Sequence, residues 1–155
     1  NIKLLICDVD GVLTNGQISF GKGLSGHKTF NVKDGLAVKL LSSIGIEVGF
    51  ISGGDSEATK ERAKSLFIHE CHTNIENKGK ILEEIQQRLS ISPGHTLYIG
   101  DDINDLEVIP KVSLFIVPKD ANYIVRKRAD LILNTKGGEG VLREVCDMLI
   151  NLKNQ

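Results

Sequence analysis

Carboxylates, a hydroxyl and ammonium groups recur along this chain in an order that suits phosphoryl chemistry. Asp8-Val9-Asp10-Gly11-Val12-Leu13-Thr14 comes first, then Ile51-Ser52-Gly53-Gly54, then Lys78, then Gly100-Asp101-Asp102-Ile103-Asn104-Asp105. Acids hold a hard divalent cation, while Ser and Lys meet the anionic oxygens of a phosphoryl group. Asp8 and Asp10 flank one residue at the end of an apolar run. From there the Asp8 side chain and a backbone carbonyl near Asp10 can reach one cation, leaving the Asp10 carboxyl free to move protons. Asp101 supplies a further oxygen, and hard oxygen ligands with open water positions favour Mg²⁺. Asp8 and Asp10 also read as turn or capping acids; the second acidic turn at a matching edge argues against that.

Ser52 precedes Gly53-Gly54, where small residues let backbone N–H groups approach an anion. On its own a Ser in a glycine turn is only a turn. Its place relative to the acidic clusters turns it, with Gly53, into a candidate phosphate contact. Lys78 and Lys80 both offer charge to a phosphate, and the spacing to Gly100 favours Lys78. Three other features carry less. His69, Cys71 and His72 lack a second ligand pair for zinc. Gly21 to Gly26 contains Gly-Lys without the spacing of a phosphate loop. Cys7 lies inside an apolar run and reads as core rather than nucleophile.

The elements that must position these residues alternate between strands and helices. Lys3 to Val9 is a continuous apolar run, the signature of a strand buried on both faces. Further strands are expected at Ile46–Ile51, Phe67–Cys71, His95–Ile99, Val112–Val117 and Leu131–Leu133. Helices are expected from Asp34 to Ile44, Asp55 to Leu66, Lys78 to Leu89 and Glu139 to Leu152, with short ones near Asn104–Ile109 and Ala121–Lys127. Gln17–Phe20 and His27–Val32 alternate weakly around a glycine-rich tip, which predicts a projecting β-hairpin. Repeated strand–helix units predict an α/β fold of three layers, a mostly parallel Rossmann-like sheet with helices on both faces. Ligands bind such sheets at the carboxyl ends of the strands, where the acidic and Ser clusters fall.

Bulk properties narrow the partners. The chain has 155 residues, 41% of them hydrophobic and 25% charged, the range of one ordinary globular domain spanning 1–155. A formal net charge of -1 gives no reason to expect nucleic acid or an acidic membrane. Arg126-Lys127-Arg128, the one tight basic run, reads as a solvated helix face. Cys7, Cys71 and Cys146 are odd in number and widely spaced, which suits reduced thiols in the cytoplasm. No apolar run approaches the roughly 18 to 20 residues of a membrane span, and no signal-peptide pattern precedes Ile2.

The four clusters together resemble the motifs of the haloacid dehalogenase superfamily of phosphohydrolases. Phe30-Asn31-Val32-Lys33-Asp34-Gly35-Leu36 and the run from Gly137 to Asp147 narrow the resemblance to its small capless group, typified by 3-deoxy-D-manno-octulosonate 8-phosphate phosphatase. Short intervals between Asp10, Ser52 and Lys78 leave no room for a folded lid, in keeping with that group. The resemblance implies that Asp8 attacks phosphorus to form an aspartyl-phosphate, and that Asp10 exchanges protons with the leaving oxygen and then with water. It implies Mg²⁺ held by Asp8, Asp10 and Asp101, phosphate held by Ser52, Gly53 and Lys78, and support from Asp102 and Asp105. It also implies a homotetramer in which the 15–32 hairpins associate and neighbouring chains close each site.

One departure bears on the substrate. Eight-carbon sugar-acid phosphatases of this group often carry Arg two residues past the motif-two hydroxyl, and nine-carbon enzymes Glu; here that residue is Gly54. Arg62, Lys64 and Lys33 are then candidates to meet a substrate carboxylate. The expected substrate is 3-deoxy-D-manno-octulosonate 8-phosphate, with nine-carbon sugar-acid 9-phosphates of the KDN or N-acylneuraminate type as the alternative. Two other classes compete. A response-regulator receiver uses similar residues, but its acceptor Asp follows the third strand, whereas here Asp-x-Asp precedes everything. A non-catalytic assembly module fused to a sugar-activating synthetase shares the fold, and intact Asp8, Asp10, Ser52, Lys78 and Asp101 speak against it.

Overall fold

The computed structural model describes residues 1–155 and contains one six-stranded, wholly parallel sheet in the order β3-β2-β1-β4-β5-β6. The strands are β1 (Leu4–Cys7), β2 (Glu47–Ile51), β3 (Glu70–His72), β4 (Thr96–Ile99), β5 (Leu114–Val117) and β6 (Leu131–Ile132). The helices are α1 (Val32–Ser43), α2 (Glu57–Ser65), α3 (Lys78–Leu89), α4 (Tyr123–Arg126) and α5 (Val141–Lys153). Two 3₁₀ segments, Pro93–His95 and Ile103–Lys111, complete the set.

Because successive strand residues face opposite sides, β1 feeds two separate cores. Leu5 and Cys7 join Val48, Phe50, Leu97 and Ile99 under α1 and α5. Leu4 and Ile6 join Tyr98, Phe115 and Val117 under α3, with Leu82 and Ile85 from that helix. Both faces of the central strands are therefore covered, which is the three-layer arrangement expected of apolar strand runs. β1 lies between β2 and β4, so the chain direction along the sheet reverses there and a crevice opens at its carboxyl edge.

Helix ends follow local chemistry. Asn31 caps α1 by accepting from Lys33 N–H, so this helix starts two residues before the expected Asp34. Ser56 caps α2, and Asn77 caps α3. α5 has Gly140 at its cap position and no side chain of its own there. The service comes from across the molecule, where Asp34 of α1 accepts from Arg143 N–H at 3.1 Å. The expected strand at Phe67–Cys71 is displaced to Glu70–His72, because Phe67 takes a left-handed turn (φ 57°) as the chain leaves α2.

The projecting hairpin is the clearest difference from expectation. Residues 15–31 contain no strand, and their arms exchange no ladder of hydrogen bonds. Backbone hydrogen bonds within the segment are confined to the tip, Leu24 N–H to Gly21 O at 3.2 Å and His27 N–H to Leu24 O at 3.4 Å. Gly16, Gly21, Gly23 and Gly26 all take positive φ, and an isolated two-stranded ribbon gains too little burial to offset that freedom. Ile18 and Phe20 are left 70% and 80% exposed.

Candidate active site

Three strand ends meet at the crevice. Asp8 follows β1 and its N–H bonds Ile99 O of β4 at 2.9 Å; Ser52 follows β2 and its N–H bonds His72 O of β3 at 2.8 Å. Gly100 follows β4 and leads into Asp101. The resulting cleft has a volume of about 210 Å³ and no hydrophobic lining; Asp8, Asp10, Ser52, Gly53, Asp101 and Asn104 are among the residues facing it.

Asp8 is buried, and its Oδ1 is fixed by Val9 N–H at 2.8 Å and by Lys78 Nζ at 3.0 Å. Lys78 is fully buried at the first turn of α3 and reaches Asp105 Oδ1 at 2.8 Å as well. Lys80 is exposed, so of the two lysines it is Lys78 that reaches Asp8. Glu107 accepts from the backbone N–H groups of both Lys78 and Gly79, so the start of α3 is pinned to the 3₁₀ segment. Asp105 in turn accepts from Tyr98 OH at 2.8 Å, and through Oδ2 from Asp101 N–H at 2.9 Å. Asp102 accepts from Ile103 N–H at 2.7 Å and opens that segment as its cap.

Charge in this cluster is not balanced by protein groups alone. Burial, followed by the nearby Asp105 charge, raises the Asp8 pKa to about 6, although Lys78 pulls it down. Burial and a hydrogen bond shared with Asp8 raise Asp101 further, to about 9. Burial alone lowers the Lys78 pKa, but the Asp8 and Asp105 carboxylates outweigh it and the ammonium is held charged. Carboxylate oxygens of Asp8, Asp101 and Asp105 lie within 4.8 Å of one another, and Asp101 Oδ1 is buried without any hydrogen-bond partner. An orphaned carboxylate oxygen facing a second carboxylate suits a hard divalent cation. Asp105 is already occupied by Lys78, Tyr98 and Asp101 N–H, so Asp8 and Asp101 are the acids with capacity to spare.

The loop after Asp8 depends on glycine. Gly11 has φ +85°, and a Cβ there would fall 1.8 Å from Asp101 Oδ2. Behind it, a Cβ on Gly137 would fall 2.1 Å from Gly11 O, and Gly138 N–H bonds Val12 O at 3.0 Å. The late Gly137-Gly138 turn thus forms the floor of the Asp-x-Asp loop.

Most of the expected site residues converge: Asp8, Asp10, Ser52, Gly53, Asp101 and Asp102 face the cleft, with Lys78 and Asp105 directly beneath. Arg62 and Lys33 do not reach it. Arg62 donates to Asn31 O at 3.2 Å and its guanidinium lies 5.6 Å from the Phe30 ring centre. Lys33 borders a separate surface depression beside Arg143. Three further residues join the converging set. Lys28 Nζ is 2.5 Å from Asp10 Oδ1, Tyr98 supports Asp105, and Asn104 lines the cleft. Tyr98 was hidden in an apolar strand, and no periodicity marks Lys28.

Residues 55–145 match the family model described as haloacid dehalogenase-like hydrolase. The 3-deoxy-D-manno-octulosonate 8-phosphate phosphatase of Escherichia coli K12 is 37% identical over 150 residues, covering 97% of this chain and 80% of that protein. The crystal structure of the Yersinia pestis enzyme of that name superposes with a TM-score of 0.95 at 35% identity, over 99% of this chain and 83% of that one. The Moraxella catarrhalis enzyme, solved with a magnesium ion, a phosphate ion and KDO, gives 0.94 at 34% identity, over 99% and 88%. Sheet, motif order and matched length agree, and the chain belongs to the haloacid dehalogenase-like hydrolases, among their phosphatases.

Proposed function

We propose that this protein hydrolyses a sugar-acid phosphate monoester, 3-deoxy-D-manno-octulosonate 8-phosphate in the first instance, through an aspartyl-phosphate on Asp8. The observation that carries the reading is the Asp8 carboxylate. One of its oxygens is tied to Val9 N–H and Lys78, and the group sits at a strand end beside Asp101 in a wholly polar cleft. The likeness to phosphatases of that sugar acid supports the substrate class.

In this mechanism Asp8 attacks phosphorus in line while the bond from phosphorus to the sugar oxygen breaks. Asp10 gives its proton to the departing oxygen. Water then attacks the aspartyl-phosphate, Asp10 takes a proton from it, and phosphate leaves with Asp8 restored. Ser52 and the Gly53 backbone meet phosphoryl oxygens, and Lys78 keeps Asp8 oriented and its charge balanced. Asp8, Asp101 and a carbonyl near Asp10 would hold Mg²⁺, which supplies charge neutralisation at the phosphoryl oxygens. Asp105 orients Lys78, and Asp102 shapes the turn.

A second reading, a nine-carbon sugar acid, stands beside the first because Gly54 supplies neither the Arg nor the Glu that would separate them; a Cβ there would sit in ordinary contact with Asp10 Oδ2 and Ser52 Oγ, at 3.7 and 3.9 Å. We further propose that exposed Ile18, Phe20, Leu24 and Val32 associate between copies in a homotetramer that brings Arg62 or Lys33 to a neighbour's substrate. Three free cysteines fit a cytoplasmic setting.

The test is Mg²⁺-dependent phosphate release from the eight-carbon 8-phosphate, nine-carbon 9-phosphates and simple hexose phosphates, with Asp8→Asn as control. A strong preference for the eight-carbon acid, lost in Asp8→Asn, is expected. Preference for a nine-carbon acid would select the second reading. No release from any ester would leave the assembly module.

A further inference from the structure

Segment 15–31 lacks regular structure, yet one of its side chains is held against Asp10, a residue of the cleft. Lys28 extends from the far arm of the segment back to Asp10, and its side chain is 14% exposed against 39% for its partner. A surface lysine has no reason to give up solvent for one ion pair in an irregular loop, since such pairs contribute little to stability. The contact also has a direction. Asp10 Oδ1 takes both Lys28 Nζ at 2.5 Å and Thr14 Oγ1 at 3.4 Å, whereas Oδ2 faces the Gly54 side of the crevice. One oxygen is anchored and the other is presented.

We infer that Lys28 is a positioning residue for Asp10, holding Oδ1 so that Oδ2 is aimed at the leaving-group oxygen. The inference rests on the reading above, in which Asp10 is the proton donor. General acid catalysis needs the donor within hydrogen-bond reach of the departing atom, and a carboxyl swinging about its Cα–Cβ and Cβ–Cγ bonds spends much of its time elsewhere. Thr14 alone, at 3.4 Å, is a loose anchor. Lys28 supplies the tight one. Segment 15–31 then belongs to the catalytic apparatus of its own chain, in addition to any part it has in association.

Two aromatic esters of similar size separate positioning from binding. p-Nitrophenyl phosphate expels a stabilised phenolate that needs no proton, whereas benzyl phosphate expels an alkoxide that does. Neither carries a carboxylate, and kcat/KM reports the steps through departure of the leaving group. Lys28→Met is expected to lower kcat/KM for benzyl phosphate on the order of tenfold more than for p-nitrophenyl phosphate. Asp10→Asn should split the two esters in the same sense and further, and Lys28→Arg should recover most of the benzyl rate. Lys28→Gln repeats the test should the Met variant fold poorly, as judged by its unfolding midpoint. An equal fall for both esters in the Lys28 variants, with Asp10→Asn still splitting them, overturns the inference and leaves Lys28 a binding or structural residue. No change for either ester overturns it as well. Should Asp10→Asn fail to split the esters, the assignment of Asp10 as donor falls first and the inference with it.

Discussion

A single oxygen, Asp105 Oδ1, accepts from both Lys78 Nζ and Tyr98 OH at 2.8 Å, and all three side chains are fully buried. The strand that carries Tyr98 and the helix that carries Lys78 are thereby joined beneath Asp8. Removing the ammonium leaves two buried carboxylates facing each other. Lys78→Met should destabilise the fold by about 3–5 kcal/mol and remove turnover, as when one partner of a buried pair is deleted. Tyr98→Phe deletes one of several donors and should cost about 1–2 kcal/mol while keeping measurable activity. Urea unfolding of both variants beside phosphate release checks the contrast.

Glycine at two positions is a steric requirement. Gly11→Ala would drive a methyl group into Asp101, and Gly137→Ala would drive one into the Gly11 carbonyl. Each should lower kcat by about a hundredfold or more, the scale of an ångström-sized misplacement of reacting groups. Gly94 has only Ser92 Oγ near its side-chain space, at 3.8 Å, so Gly94→Ala should leave turnover unchanged. Steady-state kinetics on the three variants is the measurement.

Chelation should silence the enzyme and Mg²⁺ should restore it. Asp101→Asn keeps the shape and removes a negative charge from the acid whose Oδ1 has no protein partner. It should weaken Mg²⁺ binding by about 10–100-fold while the unfolding midpoint in chelator stays or rises, since a crowded carboxylate has gone. Calorimetric titration of metal into both proteins measures the first, and thermal unfolding the second.

Asp34 sets a pH dependence of stability that is independent of catalysis. Burial raises its pKa to about 6, against the lowering effect of the Arg143 and Leu142 N–H groups, and its Oδ2 has no partner. A folded-state pKa above the ordinary value of 3.8 means that the folded protein binds this proton more tightly than the unfolded chain. The contribution is therefore fully present below about pH 4, is lost as pH rises through about 6, and spans on the order of 3 kcal/mol. Asp34→Asn cannot ionise and should lessen the slope of that part of the curve, the remainder coming from Asp8, which burial raises into the same range. Urea unfolding of both proteins from pH 4 to pH 8 tests the difference.

The acids and Ser52 were legible in the sequence because each follows an apolar run, and in a parallel sheet strand ends fall on one edge. The position of Lys78 beside Asp8 was legible by its spacing to Gly100, while Lys80 lies exposed. What was not legible lies in contacts between distant parts of the chain. Asp34 serves the start of α5 from 109 residues away, and Lys28 meets Asp10 across a glycine-rich segment that has no period to read. Weak alternation at Gln17–Phe20 suggested a strand, yet its apolar side chains have no partner face in one chain. The Arg62 charge suits a substrate carboxylate on sequence grounds, yet within one chain its guanidinium serves Asn31 O and the Phe30 ring.

The floor beneath the Asp-x-Asp loop comes from Gly137 and Gly138, near the other end of the chain. During synthesis, every acid, hydroxyl and lysine of the site emerges from the ribosome before that floor exists. A nascent chain halted short of residue 137 would carry the full set of reactive groups on an unsupported loop. Phosphate release is therefore expected only once Gly137 and Gly138 have packed beneath Gly11 and Val12, and a chain ending before residue 137, assayed for release, checks this.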